Sequence, residues 1–303
     1  MVEARSDAGA GRRIRLGMVG GGQGAFIGAV HRIASRIDDQ NELVALAKKS
    51  GKIFALTHNY TGYPMIRQAR AMTAAGALGD LRLVQAEYAQ DWLTEAVEKT
   101  GQKQADWRTD PKRSGAGGAL GDIGTHAYNL ACFVTGLTLD SLLADLTSFV
   151  KGRKLDDNDA LLLRWKGGAK GMLWASQVAV GNENGLTLRV YGTKGGLSWK
   201  QEDPNYLWFT PFGQPPRKIT RGGAGSGPEA GRVTRVPSGH PEGYLEGFAN
   251  IYTEIARAIR AARTGEKLDA AVTFPTVEDG LKGMEFIEAA VKSSAKGNVW
   301  VKV

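Results

Sequence analysis

The pattern of apolar and polar positions changes in character near residue 140. Before that point, short apolar runs alternate with segments whose apolar residues recur every three or four positions, which is the spacing of an amphipathic helix. After it, short apolar runs follow one another, separated by turn-forming pairs such as Gly167-Gly168, which is typical of antiparallel strands. The chain is therefore predicted to be an α/β protein whose C-terminal part carries a large, mostly antiparallel open sheet.

The individual elements follow from the same periodicities. In the first part they are a strand at 14–20, helices at 26–37 and 43–50, a buried strand at 52–60, a helix at 64–75, a strand at 81–88, a long polar loop at 106–118 and a helix at 121–135. In the second part they are strands at 142–150, 160–166, 171–178, 186–191, 196–200 and 206–209, a flexible loop at 221–232, helices at 244–262 and 277–294, and a closing strand at 298–303.

A glycine-rich turn joins the first strand to the first helix. Gly20, Gly22 and Ala25 fit the pattern G-x-G-x-x-G/A, in which the glycines allow a tight turn and the close approach of a pyrophosphate. Gln23 and Gly24 complete the loop, and all five residues are candidate contacts of NAD or NADP. A purely structural tight turn is the alternative. The strand before the loop and the helix after it favour a nucleotide-binding domain of the Rossmann type.

The rest of such a domain is missing from its expected place. A carboxylate that binds the ribose should follow about 20 residues later, at the end of a second strand. Asp38, Asp39 and Glu42 lie in this region, but no strand ends at them. The interval between Ile37 and Leu43 is too short for a strand-helix unit, which needs about 30 residues.

Composition narrows the range of functions. The net charge of +8 comes from scattered basic residues, which argues against nucleic-acid binding, and no apolar run is long enough to span a membrane. The single cysteine, Cys132, excludes an intrachain disulfide and is interpreted as a small buried apolar residue. A cytoplasmic location is expected. The twin arginines Arg12 and Arg13 resemble an export signal in outline, but the run after them is too glycine-rich for a signal core.

Asp122 and His126 are the candidate catalytic pair. They are four residues apart in a predicted helix and would share a face. An imidazole can take the proton of a substrate hydroxyl while a nearby carboxylate orients it. Two alternatives remain at this point: an aspartate at a helix start beside an exposed histidine, or a metal pair, which lacks a third ligand nearby.

The chain resembles the Gfo/Idh/MocA family of NAD(P)-dependent sugar and inositol oxidoreductases from Arg13 to its end. The segments that carry the resemblance are VGGGQGAFIGAVH, THNYTGYPMIRQAR, DWRTDPKRSGAGGALGDIGTHAYN, VYGTKGGLSW and HPEGYLEGFANIY. The resemblance implies oxidation of a secondary alcohol of a sugar or cyclitol, with hydride transfer to NAD or NADP. It makes Asp122 the substrate-binding acid and His126 the general base, and it implies a homo-oligomer formed through the C-terminal sheet.

The same resemblance implies roles for residues outside this pair. His58 and Asn59 would line the nicotinamide end of the cleft, and Tyr60 would lie beside the substrate. Trp107, Arg108 and His240 are further candidate substrate contacts, although Trp107 and Arg108 could equally anchor their loop to the domain.

The chain departs from the family between Ile37 and Leu43. The second strand, the strands after it and the E-K-P motif with its active-site lysine would all fall there, so we expect an internal deletion of about 80 to 90 residues. The predicted organisation is a disordered tail at 1–11, a shortened Rossmann-like domain at 12–62 and a substrate-binding and oligomerisation domain at 63–303. Cofactor affinity is expected to suffer. A non-catalytic sugar-binding or assembly module is the alternative function.

Overall fold

The computed structural model describes Ala47 and residues 49–303, and these residues build a mixed nine-stranded sheet. Its strands are β1 Leu81–Ala89, β2 Leu139–Thr147, β3 Asn158–Trp165, β4 Lys170–Ser176, β5 Gly185–Gly192, β6 Gly195–Lys200, β7 Tyr206–Pro211, β8 Arg217–Thr220 and β9 Val301–Lys302. Their order is β8-β7-β6-β5-β1-β4-β3-β2-β9. Among the described strands only β1 and β4 pair in parallel, so the predicted large, mostly antiparallel sheet is confirmed.

Helices cover one face of the sheet. They are α1 Pro64–Ala74, α2 Lys103–Arg108, α3 Pro111–Ser114, α4 Thr125–Thr135, α5 Pro228–Gly231, α6 Tyr244–Thr264 and α7 Val277–Ala295. Two short 3-10 helices, Asn59–Gly62 and Val97–Lys99, and a π-helical turn, Leu120–Gly124, complete the set. Proline begins α1 where a helix does not need its N–H, and Gly136 ends α4 in the left-handed conformation at φ +70°.

The core lies between α1, α4, α7 and the inner face of the sheet. Strand residues alternate between buried and exposed, as in β3, where Leu161 and Leu163 are buried and Leu162 between them is exposed. Stacked rings of Tyr128 and Phe286, with centroids 4.4 Å apart, join α4 to α7. The single cysteine of the chain packs against this core from α4.

The opposite face of the sheet carries no helix among the described residues and presents large apolar side chains. This outer apolar face is formed by Leu83, Leu162, Met172, Tyr191 and Trp208, which are 40 to 52% exposed. No helix in residues 49–303 is long and apolar enough to cross a membrane.

Several boundaries differ from the sequence prediction. The strand predicted at 52–60 is wrong, because residues 52–58 are irregular and the 3-10 helix Asn59–Gly62 follows them. Leu56 N–H donates to the Pro275 carbonyl rather than to a strand. The loops predicted at 106–118 and 221–232 contain the proline-initiated helices α3 and α5. The first of these loops also holds the end of α2, and strand β8 was missed because its four residues are mainly polar.

Part of the prediction concerns residues outside the described range. The first strand and helix, the glycine turn at 20–25 and the residues around Ile37 all lie there. Ala47, Lys49 and Ser50 are helical, and Gly51 follows at φ +62°, as expected for the end of the helix predicted at 43–50. The division into 1–11, 12–62 and 63–303 stays a prediction.

Candidate active site

Polar side chains gather at one edge of the sheet. β1 and β4 end at this edge and β5 starts there, because β1 runs parallel to β4 and antiparallel to β5. Tyr88 lies at the end of β1, Gln177 directly follows β4, and Asn184 directly precedes β5. The edge therefore brings together side chains that are widely separated in the sequence.

A carboxylate holds the segment that leads into α4. Asp156 accepts hydrogen bonds from Gly118 N–H at 2.7 Å and Leu120 N–H at 2.9 Å through its side chain, and from Ala119 N–H at 3.0 Å through its carbonyl. A side chain at Gly118 would meet the Asp156 carbonyl oxygen at 2.0 Å, so only glycine allows this close approach. Three consecutive N–H groups at the start of the helical segment are thereby fixed.

The sequence predicts that Asp122 and His126 share one face of a regular α-helix. In the structure they do not, because the segment between them is not a regular α-helix. Asp122 lies in the π-helical turn, in which Thr125 N–H reaches back to the Leu120 carbonyl, and His126 lies in the first turn of α4. The wider π turn rotates the two side chains relative to the spacing of an α-helix. Both are partly buried.

Asp122 is held by two donors from different elements. Arg108 Nε donates to its Oδ2 at 2.9 Å, and Gln177 Nε2 donates to the same oxygen at 2.8 Å. The Arg108 guanidinium lies over the Trp107 ring, 4.2 Å from its centroid. Both hydrogen bonds that the described residues give to Asp122 end on Oδ2, so Oδ1 remains available to a ligand. We call Arg108, Asp122 and Gln177 the charged arm.

His126 meets a second histidine. Its Nδ1 lies 3.4 Å from Nδ1 of His58, which is buried, and the two rings meet edge to face. If the two nitrogens share a hydrogen bond, one of them carries the proton and the other accepts it. The structure thus brings together two of the residues that the sequence analysis proposed for the site.

A chain of hydroxyl groups approaches His126 from the other side. The Tyr60 ring lies edge-on to His126 with centroids 5.3 Å apart, and its hydroxyl is 2.5 Å from that of Tyr88. Tyr88 donates to Asn184 Oδ1 at 2.7 Å. Burial raises the pKa of Tyr60 and raises that of Tyr88 well above its ordinary value, so both remain neutral phenols. We call Tyr60, Tyr88 and Asn184 the tyrosine arm.

The turn that carries Tyr60 is fixed by α6. Asn250 Nδ2 donates to the Gly62 carbonyl at 2.9 Å, and the backbones of Gly62 and Gly247 touch. A Cβ at Gly62 would lie 2.1 Å from the Gly247 oxygen, and one at Gly247 would lie 2.8 Å from the Tyr63 ring. Glycine at both positions is what allows the turn to lie directly on the helix.

A second carboxyl lies behind the clamp formed by Asp156. Asp159 is completely buried, and both of its oxygens lack a hydrogen-bond partner among the described residues. Burial, followed by the neighbouring Asp156, raises the pKa of Asp159 well above its ordinary value. A protonated carboxyl carries one O–H, so a neutral Asp159 is compatible with a site behind a second aspartate.

The residues beside His58 suit a polar ligand. Thr57 Oγ1 and Asn59 Nδ2 are buried and have no hydrogen-bond partner in the part of the chain described. Asn59 lies close enough to Tyr60 to lower the pKa of its phenol slightly, but its nitrogen does not reach hydrogen-bond geometry. Buried polar groups are normally satisfied, so a ligand with amide or hydroxyl groups fits these two positions. A nicotinamide, which carries an amide, meets this requirement.

Other predicted site residues lie elsewhere. His240 is exposed in the loop before α6, where its carbonyl accepts a hydrogen bond from Arg221, and its described contacts do not include either arm. The glycine-loop residues Gly20, Gly22, Gln23, Gly24 and Ala25 lie outside the described range. No group of three metal-ligating side chains occurs among the residues from 49 onward.

Four residues of the site were missed in the sequence. These are Tyr88, Asp156, Gln177 and Asn184. Tyr88, Gln177 and Asn184 stand at the ends of predicted strands, a position that commonly carries ligand contacts, and this was the available signal. Asp156 had no comparable signal, because its function depends on its contact with a loop 36 to 38 residues away.

The fold and the site define an α/β protein in which His58, His126 and the hydrogen-bonded carboxylate of Asp122 belong to one candidate site. Residues 66–198 match the family model for the GFO/IDH/MocA C-terminal domain. The chain is 34% identical over 265 residues to the uncharacterized oxidoreductase YfiI of Bacillus subtilis, an alignment that covers 86% of this chain and 67% of the relative.

The solved structures that are similar to this chain include two oxidoreductase-type proteins. An oxidoreductase from Sinorhizobium meliloti has 57% identity and a TM-score of 0.78, covering 87% of this chain and 68% of that one. An inositol dehydrogenase homologue from Azotobacter vinelandii, complexed with NADH and myo-inositol, has 32% identity and a TM-score of 0.82, covering 91% and 75%. The chain belongs to the Gfo/Idh/MocA family and is an oxidoreductase of that family.

Proposed function

We propose that this protein oxidises a secondary alcohol of a sugar or cyclitol and uses NAD or NADP as the hydride acceptor. The observation that carries the proposal is His126 at the meeting point of His58, the tyrosine arm and the helical segment that carries Asp122. The complex of the Azotobacter vinelandii homologue with NADH and myo-inositol supports both the cofactor and the substrate class.

His126 has the chemistry of the general base. A substrate hydroxyl gives its proton to the imidazole, and Nδ1 of a neutral His58, 3.4 Å from Nδ1 of His126, can accept a hydrogen bond from the resulting imidazolium. Asp122 accepts a further substrate hydroxyl through Oδ1, while Arg108 and Gln177 keep its carboxylate in place. Arg108 thus acts on the substrate through Asp122 in this proposal, and Trp107 supports Arg108 from below.

The cofactor would lie against the His58 end of the site. His58 and Asn59 would contact the nicotinamide, and the predicted glycine turn of Gly20 to Ala25 would contact the pyrophosphate. When bound, the nicotinamide dinucleotide accepts the hydride that leaves the substrate carbon.

We further infer that an internal deletion between Ile37 and Leu43 weakens cofactor binding. The alignments cover 67% of YfiI and 68% of the Sinorhizobium meliloti protein, so about a third of each relative has no counterpart in this chain. A glycine turn alone supplies part of the pyrophosphate contacts and none of the adenosine pocket. We therefore expect micromolar affinity for NAD or NADP only if other residues of the short first domain form an adenosine pocket.

The test is a titration of the folded full chain with NAD⁺, NADH and NADP⁺, followed by nicotinamide fluorescence and thermal shift. Saturable binding, together with polyol oxidation that His126→Ala abolishes, supports the enzyme. A folded chain that binds myo-inositol but no cofactor at millimolar concentration contradicts it. That result would favour a non-catalytic sugar-binding module.

We also propose that a second copy of the chain covers the outer apolar face. An exposed apolar surface of this extent is typical of a protein interface. Leu162 and Met172 face each other across β3 and β4 and are both about half exposed. The variant Leu162→Glu should therefore lower the molar mass measured by light scattering, and an unchanged mass would argue against this interface.

A further inference from the structure

The tyrosine arm has a fixed hydrogen-bond direction, which begins at an indole. Trp92 Nε1–H donates to Gln90 Oε1 at 3.0 Å, and an indole can only donate. This contact identifies the oxygen end of the Gln90 amide, so its other end, Nε2, is the donor that meets Asn184 Oδ1 at 2.8 Å. The orientations of both amides therefore follow from one unambiguous donor.

The two phenols inherit this direction. Asn184 Oδ1 can only accept, so the contact of 2.7 Å with Tyr88 uses the single hydroxyl proton of Tyr88. The contact of 2.5 Å between the two hydroxyls must then use the single proton of Tyr60. Tyr60 has no proton left for a ligand. Toward anything bound beside His126, its oxygen can only accept.

We propose that Tyr60 is a specificity-determining residue that selects substrates with a second hydrogen-bond donor besides the hydroxyl group that is oxidised. This inference rests on the proposed function, in which the reacting hydroxyl gives its only proton to His126. A hydroxyl carries one proton, so the donor to Tyr60 must be a different group of the substrate. The substrate must therefore carry a second donor group, and a carbonyl, ether or fluorine at that position leaves the Tyr60 oxygen facing another acceptor.

The direction also separates Tyr60 from an ordinary tyrosine contact. An isolated phenol rotates its proton toward whichever partner the ligand offers, so it tolerates donors and acceptors alike. Here Tyr88 and Asn184 prevent the rotation. Tyr88 is buried, Asn184 is partly buried, and neighbouring side chains hold both of them. Selectivity thus depends on residues that do not touch the ligand.

The experiment measures dissociation constants by calorimetry, with and without NADH, for myo-inositol and for its monofluoro derivatives, one for each ring carbon. Fluorine can accept weakly but cannot donate. Fluorine in place of the hydroxyls that meet His126 and Asp122 should weaken binding whatever residue stands at position 60. We expect one further ring position at which the hydroxyl compound binds about tenfold more tightly than the fluoro compound, the loss expected from one hydrogen bond. Tyr60→Phe should remove this preference through weaker binding of myo-inositol.

The informative variants are Tyr88→Phe and Asn184→Leu, because each frees the Tyr60 proton to turn toward the ligand. Both should reduce the preference at the same ring position, but through tighter binding of the fluoro derivative. Asn184 is only partly buried, so its variant provides the test even if Tyr88→Phe does not fold. The inference is overturned if the preference survives Tyr60→Phe, or if neither variant tightens the fluoro derivative. Absence of binding by every compound would instead overturn the proposed function on which the inference rests.

Discussion

The two arms that approach His126 are built on different physical principles. The charged arm fixes Asp122 with a guanidinium at 2.9 Å and an amide at 2.8 Å, so its geometry depends on charge and is sensitive to substitution of either donor. The tyrosine arm contains no charge, and its direction depends only on which group owns each proton. One arm offers a substrate a strong acceptor, and the other offers a weak acceptor that cannot change into a donor.

The difference shows how selectivity can be divided within one site. The charged arm supplies affinity for a hydroxyl group, because hydrogen bonds to ionised groups are stronger than neutral ones. The tyrosine arm distinguishes substrate groups that donate a hydrogen bond from groups that only accept one, and it adds little to the affinity for the substrate. Two substitutions test this division, and a third tests the buried carboxyl behind Asp156.

Removal of the candidate general base should have the largest effect. His126→Asn keeps a polar side chain of similar size but cannot take up a proton near neutral pH, so we expect kcat to fall about 10²- to 10⁴-fold. The dissociation constant of myo-inositol should change much less, since the arms themselves remain. The measurement pairs steady-state rates with calorimetry on the same preparation. An equal loss in both quantities would mean that His126 binds substrate rather than accepting its proton.

Removal of the negative charge of the charged arm should come next. Asp122→Asn replaces the strong acceptor by a neutral amide and leaves the Arg108 guanidinium without its counter-ion, so kcat/KM should fall about tenfold to hundredfold. The matched control is Asp140→Asn, which removes an exposed carboxylate paired with Lys302 at 3.0 Å and should leave kcat/KM within about twofold of the original. A wild-type rate in Asp122→Asn would show that the charged arm has no part in substrate binding.

The smallest effect concerns the carboxyl behind the Asp156 clamp, and it appears in stability. The pKa of Asp159 is raised in the folded state, so this residue stabilises the fold below its unfolded pKa of about 3.9, and the contribution is lost as pH rises toward the folded value. Asp159→Asn cannot titrate. The wild type should therefore lose stability relative to the variant as pH rises above 4, by at most about 1.4 kcal/mol per pH unit.

Denaturant unfolding of both proteins at several pH values between 4 and 9 gives this difference directly, with Asp140→Asn as the exposed control. A gap that stays constant with pH would indicate that Asp159 is already ionised in the folded protein. That outcome would require a cation or donor beside it.

Sequence patterns were sufficient for most of the fold and for the centre of the site. Helical periodicity located α1, α6 and α7 within about two residues, because each carries a continuous apolar stripe. The segment at 52–58 was mistaken for a strand, because a short apolar run does not reveal whether a neighbouring strand is present to pair with it.

The site shows the same limit at the level of side chains. His126, Asp122 and His58 were recognised from local motifs, whereas the tyrosine arm depends on a contact between Tyr60 and Tyr88 across 28 positions and between Tyr88 and Asn184 across 96. The π turn at Leu120–Gly124 was also unpredictable, because the same residues suit an ordinary helix.

The contact between Gly62 and Gly247 has a consequence for how this site can diverge among related proteins. Neither position has room for a side chain, since a Cβ at Gly62 would lie 2.1 Å from the Gly247 oxygen and one at Gly247 would lie 2.8 Å from the Tyr63 ring. No single substitution at either position can be accommodated without moving the turn that carries Tyr60. We therefore expect related proteins that differ in substrate preference to differ at Tyr88 and Asn184 and to keep glycine at positions 62 and 247.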